Sequence, residues 1–253
     1  MTKYHAVREQ LLDRLDQMAA GEQLPPEREL SASLGVSRMT LRRAIDDLVA
    51  RGAVRRRQGS GVFALGPKLD TGLVATSFTA DMRSRGLRPG ARTLAFERRP
   101  AGARVGRRLR ISPTAGVVRV TRLRLADGEP MAIEQLHVPD ALVPGLGAAD
   151  LQDASFYDLL RTRYGVTVVR GVQTIEPTVL DGDESASLDV PVHSPALQFE
   201  RTSWGERGAA DGDVGIVEFV RSVYRGDRYQ IRTELSVPSA SSTPPGGGTE
   251  GAA

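Results

Sequence analysis

Two short amphipathic segments separated by a glycine-containing turn lie within the first 50 residues, and no other feature constrains the fold as strongly. Before them, apolar side chains recur every three or four positions over residues 4–18, which predicts an amphipathic helix ended by Gly21. A short helix is predicted over residues 26–34, because proline suits a first helical turn and Gly35 follows. Ser37 can cap a third helix, whose apolar stripe is Leu41, Ile45 and Leu48.

Arginines occupy a second face of this third helix. Arg38 and Arg42 are four residues apart, with Thr40 and Arg43 nearby. A short helix, a tight turn and a helix with arginines at its start form the layout of a helix-turn-helix, whose second helix enters the DNA major groove. Arginine suits base reading because its planar fork can donate two bonds to guanine.

A basic hairpin is predicted directly after the third helix. Residues 53–57 and 62–65 have strand character, and the loop over residues 58–61 (QGSG) turns one into the other. Such a hairpin is a wing, and glycines at its tip allow the backbone to approach phosphates closely. The sequence therefore predicts a winged helix-turn-helix over residues 1–66.

Charge is distributed unevenly along the 253 residues. The formal net charge is +3; residues 1–66 hold eleven basic and eight acidic side chains, and the remainder holds 23 of each. Seven arginines and two aspartates lie between Arg38 and Arg57, which favours a polyanionic partner, with a solvated charged face as the alternative.

The composition also excludes several classes of protein. With no cysteine, disulfide scaffolds, zinc–thiolate sites and thiol nucleophiles are excluded. No apolar run approaches the ~20 residues of a membrane span, and the first residues have no apolar leader segment, so we expect a cytoplasmic protein with no membrane partner.

Strand patterns dominate the rest of the chain and predict an α+β domain with a mainly antiparallel sheet and short helices. We expect a linker over residues 67–75, the second domain over residues 76–237, and a disordered tail over residues 238–253. The strand candidates are residues 117–126, 131–138, 166–179, 196–204, 214–224 and 229–235, and a helix is predicted over residues 156–164.

Two groups of polar residues lie on these strands. Arg122 and Arg124 share one face, which fits either a solvent-facing stretch or a guanidinium clamp for phosphate or carboxylate. Glu218, Ser222 and Tyr224 share a face of another strand. Because strand register cannot be read from sequence, whether Glu134 faces Arg122 stays open.

The N-terminal motifs resemble a known family. Residues 24–30 (LPPEREL), 34–44 (LGVSRMTLRRA) and 58–63 (QGSGVF) are similar to the winged helix of GntR-family bacterial transcription regulators. The resemblance implies that Arg28 supports the DNA backbone, that Arg38 and Arg42 read guanines, and that the other DNA-binding positions are Ser37, Thr40, Arg43, Gln58 and Gly59.

The C-terminal motifs resemble the UTRA effector domain of the HutC subfamily, which has a chorismate-lyase-like fold. They are residues 76–86 (TSFTADMRSRG), 121–134 (TRLRLADGEPMAIE) and 218–229 (EFVRSVYRGDRY). In members that respond to amino-sugar phosphates, the resemblance implies a ligand site formed by Ser77, Phe78, Thr79, Arg122, Arg124, Glu134, Glu218 and Tyr224. We expect effector binding to order a cavity loop near residues 77–85 and to shift the relative positions of the two DNA-binding heads. The segment after Glu134 departs from the usual pattern, which leaves the sugar open and makes His137 an optional contact.

These patterns lead to one expectation and two alternatives. We expect a homodimeric regulator, a repressor released from a palindromic operator by a small anionic effector such as a phosphorylated amino sugar. A carboxylate effector such as a histidine-pathway acid is one alternative, and an enzyme using Glu134 and Glu218 is the other. We expect no enzyme, cofactor or metal, because no nucleophile elbow, P-loop or dinucleotide motif is present and the three histidines are far apart in sequence.

Overall fold

The computed structural model describes residues 3–57, 59–65, 69–71, 77–207 and 213–232. Gln58, most of the predicted linker and the whole predicted tail lie outside these residues. Among the described residues no helix is both long and apolar enough to cross a bilayer.

The N-terminal part has the predicted order of three helices and a hairpin. Its elements are α1 (Lys3–Leu15), α2 (Glu27–Ser33), α3 (Arg38–Ala50), β1 (Val54–Arg57) and β2 (Gly61–Ala64), with β1 and β2 antiparallel. Helix α1 ends earlier than its apolar stripe predicts, because turn hydrogen bonds follow Leu15, yet Met18 still packs against the core. That core is built around fully buried side chains on all three helices: Leu11, Leu30, Leu41, Ile45 and Leu48.

The C-terminal part is built on a six-stranded antiparallel sheet. Its order is β4-β5-β6-β9-β8-β7, made by β4 (Pro89–Pro100), β5 (Gly116–Ala126), β6 (Glu129–Pro139), β7 (Val166–Val179), β8 (Pro195–Arg207) and β9 (Asp213–Arg225). A separate parallel pair joins β3 (Leu69–Thr71) to β10 (Tyr229–Ile231). The predicted α+β class is confirmed.

Four short helices cover the two faces of this sheet. Helices α4 (Phe78–Ser84) and α6 (Phe156–Tyr164) pack on one face, and α5 (Gly102–Leu109) and α7 (Gly182–Leu188) pack on the other. The prediction of a loop at residues 77–85 was wrong, because Ser77 accepts a bond from the Ala80 backbone N–H and caps α4. The predictions did not include β4, α5 and α7: β4 is a mostly exposed edge strand, and the two helices are only eight and seven residues long, so each offers only about two turns of pattern.

The two parts of the chain touch at the end of α3. The Gly52 backbone lies so close to Asp227 that an added Cβ would be 2.1 Å from the aspartate Cβ. Arg55 of the wing pairs with Glu129 at 3.1 Å, and Arg228 donates to the Leu65 carbonyl at 3.4 Å. The base of the wing is thereby held against the β5–β6 and β9–β10 turns.

Candidate functional site

The predicted reading face of α3 is exposed. Arg38 and Arg42 both lie on the surface, and Arg38 has no hydrogen bond or ion pair within the described residues. Arg42 has only a long contact to Glu27, 3.6 Å between Nη2 and Oε2. Two guanidiniums that form no short bonds to the described part of the chain are available to an outside acceptor.

The other predicted positions of the helix-turn-helix have local roles. The Ser37 hydroxyl accepts from the Thr40 backbone N–H at 3.2 Å and lies 2.9 Å from the Thr40 hydroxyl, so the two residues form the N-cap of α3. Arg28 is exposed on α2. Arg43 points toward α1, where its guanidinium lies 5.5 Å from the centre of the Tyr4 ring. The structure therefore separates Arg43 from Arg38 and Arg42.

Gly59 at the wing tip has φ +73°, a left-handed value that glycine adopts without strain. The tip is anchored by Gln23, a residue that the sequence did not single out. Gln23 donates to the Ser60 carbonyl at 2.8 Å and bridges to Phe63 of β2. Arg57 lies exposed over the Phe63 ring at 5.1 Å and adds a further cation to the wing.

The register of β5 and β6 places Arg122 opposite Glu134. Arg122 donates from Nε to Glu134 Oε1 at 2.8 Å and from Nη2 to the same oxygen, and its Nη1 donates to the Ala154 carbonyl. Burial opposes ionisation of Glu134, but the charges of Arg122 and Arg124 outweigh it and hold the pKa of this carboxyl below its ordinary value. The positive charge of Arg122 is therefore already compensated within the protein.

The positive charge of Arg124, two residues along the same strand, is compensated less than that of Arg122. Its side chain is buried, 2% exposed, with the guanidinium 4.5 Å from the centre of the Phe78 ring and Nη2 donating to Thr79 at 3.1 Å. Its Nε and Nη1 have no partner among the described residues. Burial lowers the pKa of Arg124 to about 10, and the charge of Arg122 adds to this, although Glu134 opposes it. The site thus holds a buried cation with unused donors.

A second carboxylate on the same sheet face accepts several hydrogen bonds through one oxygen. Glu218 Oε1 accepts from Tyr157 at 2.6 Å, from Ser203 at 2.7 Å and from Arg201 at 3.3 Å. Burial, and then the charge of Glu218, raise the pKa of Tyr157 well above its ordinary value, so the phenol stays a donor. These bonds connect α6, β8 and β9 at one carboxylate oxygen.

Aromatic rings pack together near Arg124. Tyr224 packs against Phe78, Phe199 and Tyr229, with ring centres 6.5, 4.8 and 4.3 Å away. Burial, and then the charge of Glu134, raise the pKa of Tyr224 to about 12. We use the name sheet site for eight residues: Arg122, Arg124, Glu134, Arg201, Glu218, Tyr224, Phe78 and Thr79.

Comparison with known proteins adds to this geometry. Residues 3–64 match the model for "Bacterial regulatory proteins, gntR family", and residues 84–230 match the UTRA domain. The HTH-type transcriptional repressor NagR of Bacillus subtilis is 34% identical over 229 residues, covering 89% of this chain and 91% of NagR. The chain belongs to the GntR family.

Its winged helix followed by a UTRA domain is the HutC-type arrangement of GntR regulators, as the motifs predicted. The HTH-type transcriptional repressor PhnF of Mycolicibacterium smegmatis is 32% identical over 226 residues, covering 89% of each chain. The crystal structure of PhnF from Mycobacterium smegmatis superposes with a TM-score of 0.62 at 30% identity, covering 92% of this chain and all of the PhnF chain.

Three residues that contact Glu218 of the sheet site were not found from the sequence. Tyr157, Arg201 and Ser203 lie on α6 and β8 and meet Glu218 only through packing and strand pairing. The matching parity of Arg201 and Ser203 on β8 was a usable signal, because alternate residues of a strand share a face. Within the described part of the chain, no three His, Asp or Glu side chains come together as metal ligands would.

Proposed function

We propose that this GntR-family regulator is a repressor that binds a palindromic operator as a homodimer and is released by a small anionic effector, most simply a phosphorylated amino sugar. One observation carries the effector part: Arg124 is a buried cation with two unused nitrogens, beside groups that donate and accept hydrogen bonds. A buried charge without a partner is costly, and an anion would supply the missing acceptors.

The exposed face of α3 supports operator reading. Arg38 and Arg42 are one helical turn apart at the start of the helix that enters the major groove in this fold. Arg28 and the wing tip at Gly59 flank that face and are proposed to contact the DNA backbone, with the Ser37–Thr40 cap presenting hydroxyls to phosphates. Arg43 is proposed as a weaker contributor, because its guanidinium is directed to Tyr4.

The sheet edge supports the homodimer. Strand β7 is the 14-residue edge strand, and Val169, Val172 and Val179 on it are each at least half exposed. A long apolar edge strand is a template for pairing with another chain. One winged helix also covers a single half-site, so a palindromic operator needs two copies.

A short series of contacts connects the sheet site to the DNA-binding part. Tyr224 of the sheet site is followed at once by Arg225, which donates to Asp227 at 2.9 and 2.6 Å. Asp227 in turn lies against the Gly52 backbone at the end of α3. An effector that moves Tyr224 would shift this turn and hence the spacing of the two heads. The predicted linker, residues 67–75, would be a second route.

The two carboxylates favour binding over catalysis. Glu134 is held ionised by Arg122, and one Glu218 oxygen already accepts three bonds. A general acid or base needs a proton to exchange at the reacting atom, and both groups are committed elsewhere.

The test begins with an operator selected from random duplex DNA by the purified full-length protein. Arg38→Ala is expected to weaken binding to it by about 1–3 kcal/mol and relax preference at one position per half-site, whereas Arg161→Ala, an exposed residue on α6, leaves both unchanged. Unchanged base preference in Arg38→Ala would remove that residue from the reading role.

Release is then measured with a panel of amino-sugar phosphates, sugar phosphates and histidine-pathway acids. A phosphorylated sugar is expected to release the wild type but not Arg124→Met, whose operator affinity stays normal. If only a carboxylate releases the protein from its operator, the effector is a carboxylate and not a phosphorylated sugar. Turnover of any panel compound would support the enzyme alternative.

A further inference from the structure

A second concentration of arginine lies in the C-terminal part. Residues 98–110 contain six arginines and no acidic residue, a stretch concealed by the balanced charge of the chain beyond residue 66. It covers the end of β4 and helix α5. These arginines lie away from the sheet site, and the proposed repressor function makes no use of them.

Part of this stretch lines a cavity on the opposite face of the sheet. The cavity has a volume of about 210 Å³, room for roughly seven waters, and its polar lining is Arg99, Arg104, Arg119, Gln135, His137 and Arg221. Arg119 and His137 are paired across β5 and β6, three residues before Arg122 and three after Glu134. Because side chains alternate along a strand, they face away from the sheet site. We call this cavity the second pocket.

The cations of the second pocket are unequally compensated. Arg104 shares Glu200 with Arg108, and Arg221 donates twice to Gln198 and lies 3.9 Å from Glu184. The ion-pair partner of Arg99 and Arg119 within the described residues is Glu97, 3.8 Å from each, beyond hydrogen-bond distance. Two guanidiniums therefore share one distant carboxylate.

A buried histidine completes the lining. His137 is 9% exposed and stacks on Phe219, and its Nδ1 is buried without a partner among the described residues. Burial and the charge of Arg119, with smaller effects of Arg99 and Arg104, lower the pKa of His137 to about 4, against a hydrogen bond to the Phe219 backbone that raises it. At neutral pH the ring is uncharged, and with its proton directed to that backbone, Nδ1 is left as an acceptor.

We propose that the second pocket binds a small oxyanion that carries a proton, such as inorganic phosphate. Arg99 and Arg119 donate to its oxygens, and its O–H donates to His137 Nδ1. The arginines supply the charge and the histidine supplies selectivity, since an acceptor inside an arginine cluster rewards an anion that is also a donor. This site is separate from the sheet site and does not depend on the effector proposed there.

The histidines make the test direct. The chain has three, His5, His137 and His193, so imidazole nitrogen NMR of the full-length protein gives few signals. Inorganic phosphate is titrated at constant ionic strength near neutral pH, with chloride and sulfate as comparisons. The His137 signal is expected to shift saturably with phosphate, less with sulfate, which bears no proton at this pH, and not with chloride.

Two variants separate this pocket from the sheet site. Arg119→Gln is expected to weaken phosphate binding about tenfold, or about 1.4 kcal/mol. Arg124→Met, which alters only the sheet site, should leave the His137 titration unchanged. Thermal unfolding of both variants verifies that they are folded. The comparison of phosphate, sulfate and chloride on the wild type tests the proposal even if a variant does not fold.

Three results would overturn the inference. They are the absence of a saturable His137 shift, equal shifts with phosphate and sulfate, and a shift that survives Arg119→Gln but disappears in Arg124→Met. The last would place the anion in the sheet site.

Discussion

Arg122 and Arg124 are two residues apart on one strand, yet replacing each by methionine should change stability in opposite directions. For Arg124, the gap between the ordinary arginine pKa and about 10 disfavours the buried charged form by about 3 kcal/mol. Methionine removes that cost, keeps much of the apolar stem, and loses the cation–π contact with Phe78, worth about 1–2 kcal/mol. Arg124→Met should therefore raise the free energy of unfolding by about 1–2 kcal/mol.

Arg122→Met is the matched comparison. It leaves the buried carboxylate of Glu134 without the partner that donates to it from Nε and Nη2. Breaking a buried pair in this way costs about 3–5 kcal/mol. The same type of substitution, on the same strand and face, thus distinguishes a structural ion pair from a cation kept for a ligand.

The assay is thermal unfolding of the full-length protein near neutral pH without effector. At about 2–4 °C per kcal/mol for a domain of this size, the unfolding temperature should rise by about 2–8 °C in Arg124→Met and fall by about 6–20 °C in Arg122→Met. If Arg124→Met is destabilised as much as Arg122→Met, Arg124 is structural and the reasoning for an anion site fails. A stabilised variant that also loses release would show stability given up for function.

Two further predictions concern the domain contact and the second pocket. Gly52→Ala and Gly35→Ala both place alanine at left-handed φ (+69° and +63°), which costs about 1–2 kcal/mol each, but of the two only Gly52 has Asp227 within 4 Å. Gly52→Ala should therefore unfold at the lower temperature and show weaker effector release. Equal behaviour of the two variants would exclude the Gly52–Asp227 contact from the coupling route. For His137, the folded pKa of about 4 lies below the ordinary 6.5, so the unfolded chain binds more protons between these two pH values. The contribution of His137 to the free energy of unfolding should be fully present above pH 6.5 and fall by about 3 kcal/mol toward pH 4. Denaturant titrations should find this loss reduced in His137→Gln.

Local signals were enough for the elements whose apolar pattern is strong. Helix α6 and strand β7 lie where the sequence predicts them, because Ser155 caps the helix, Gly165 ends it with φ +66°, and the β-branched run that follows favours a strand. The segment at residues 77–85 was harder. A seven-residue helix gives too few turns for a periodic signal, and only its cap at Ser77 marked it.

The residue types of the candidate site were predictable, but their pairing was not. The strand parity placed Arg122 and Arg124 together, as it placed Glu218 with Tyr224. Which arginine meets Glu134 depends on the β5–β6 register, and a slip would move the whole set. Tyr157 comes from a helix far from Glu218 in sequence, and Arg201 reaches Glu218 only through the β8–β9 register, so no local rule connects either residue to it.

The sequence by itself therefore determined the winged helix with its exposed arginines, the α+β class and the face on which each polar strand residue lies. These follow from helix caps, the periods of 3.6 and 2, and glycines at turns, all of which act over a few residues. The tertiary structure decided that the charge of Arg122 is compensated by Glu134 while Arg124 retains unused donors, and that Arg119 lies opposite His137 on the other face. Those outcomes depend on strand register and on burial, which are set by contacts between residues far apart in the chain.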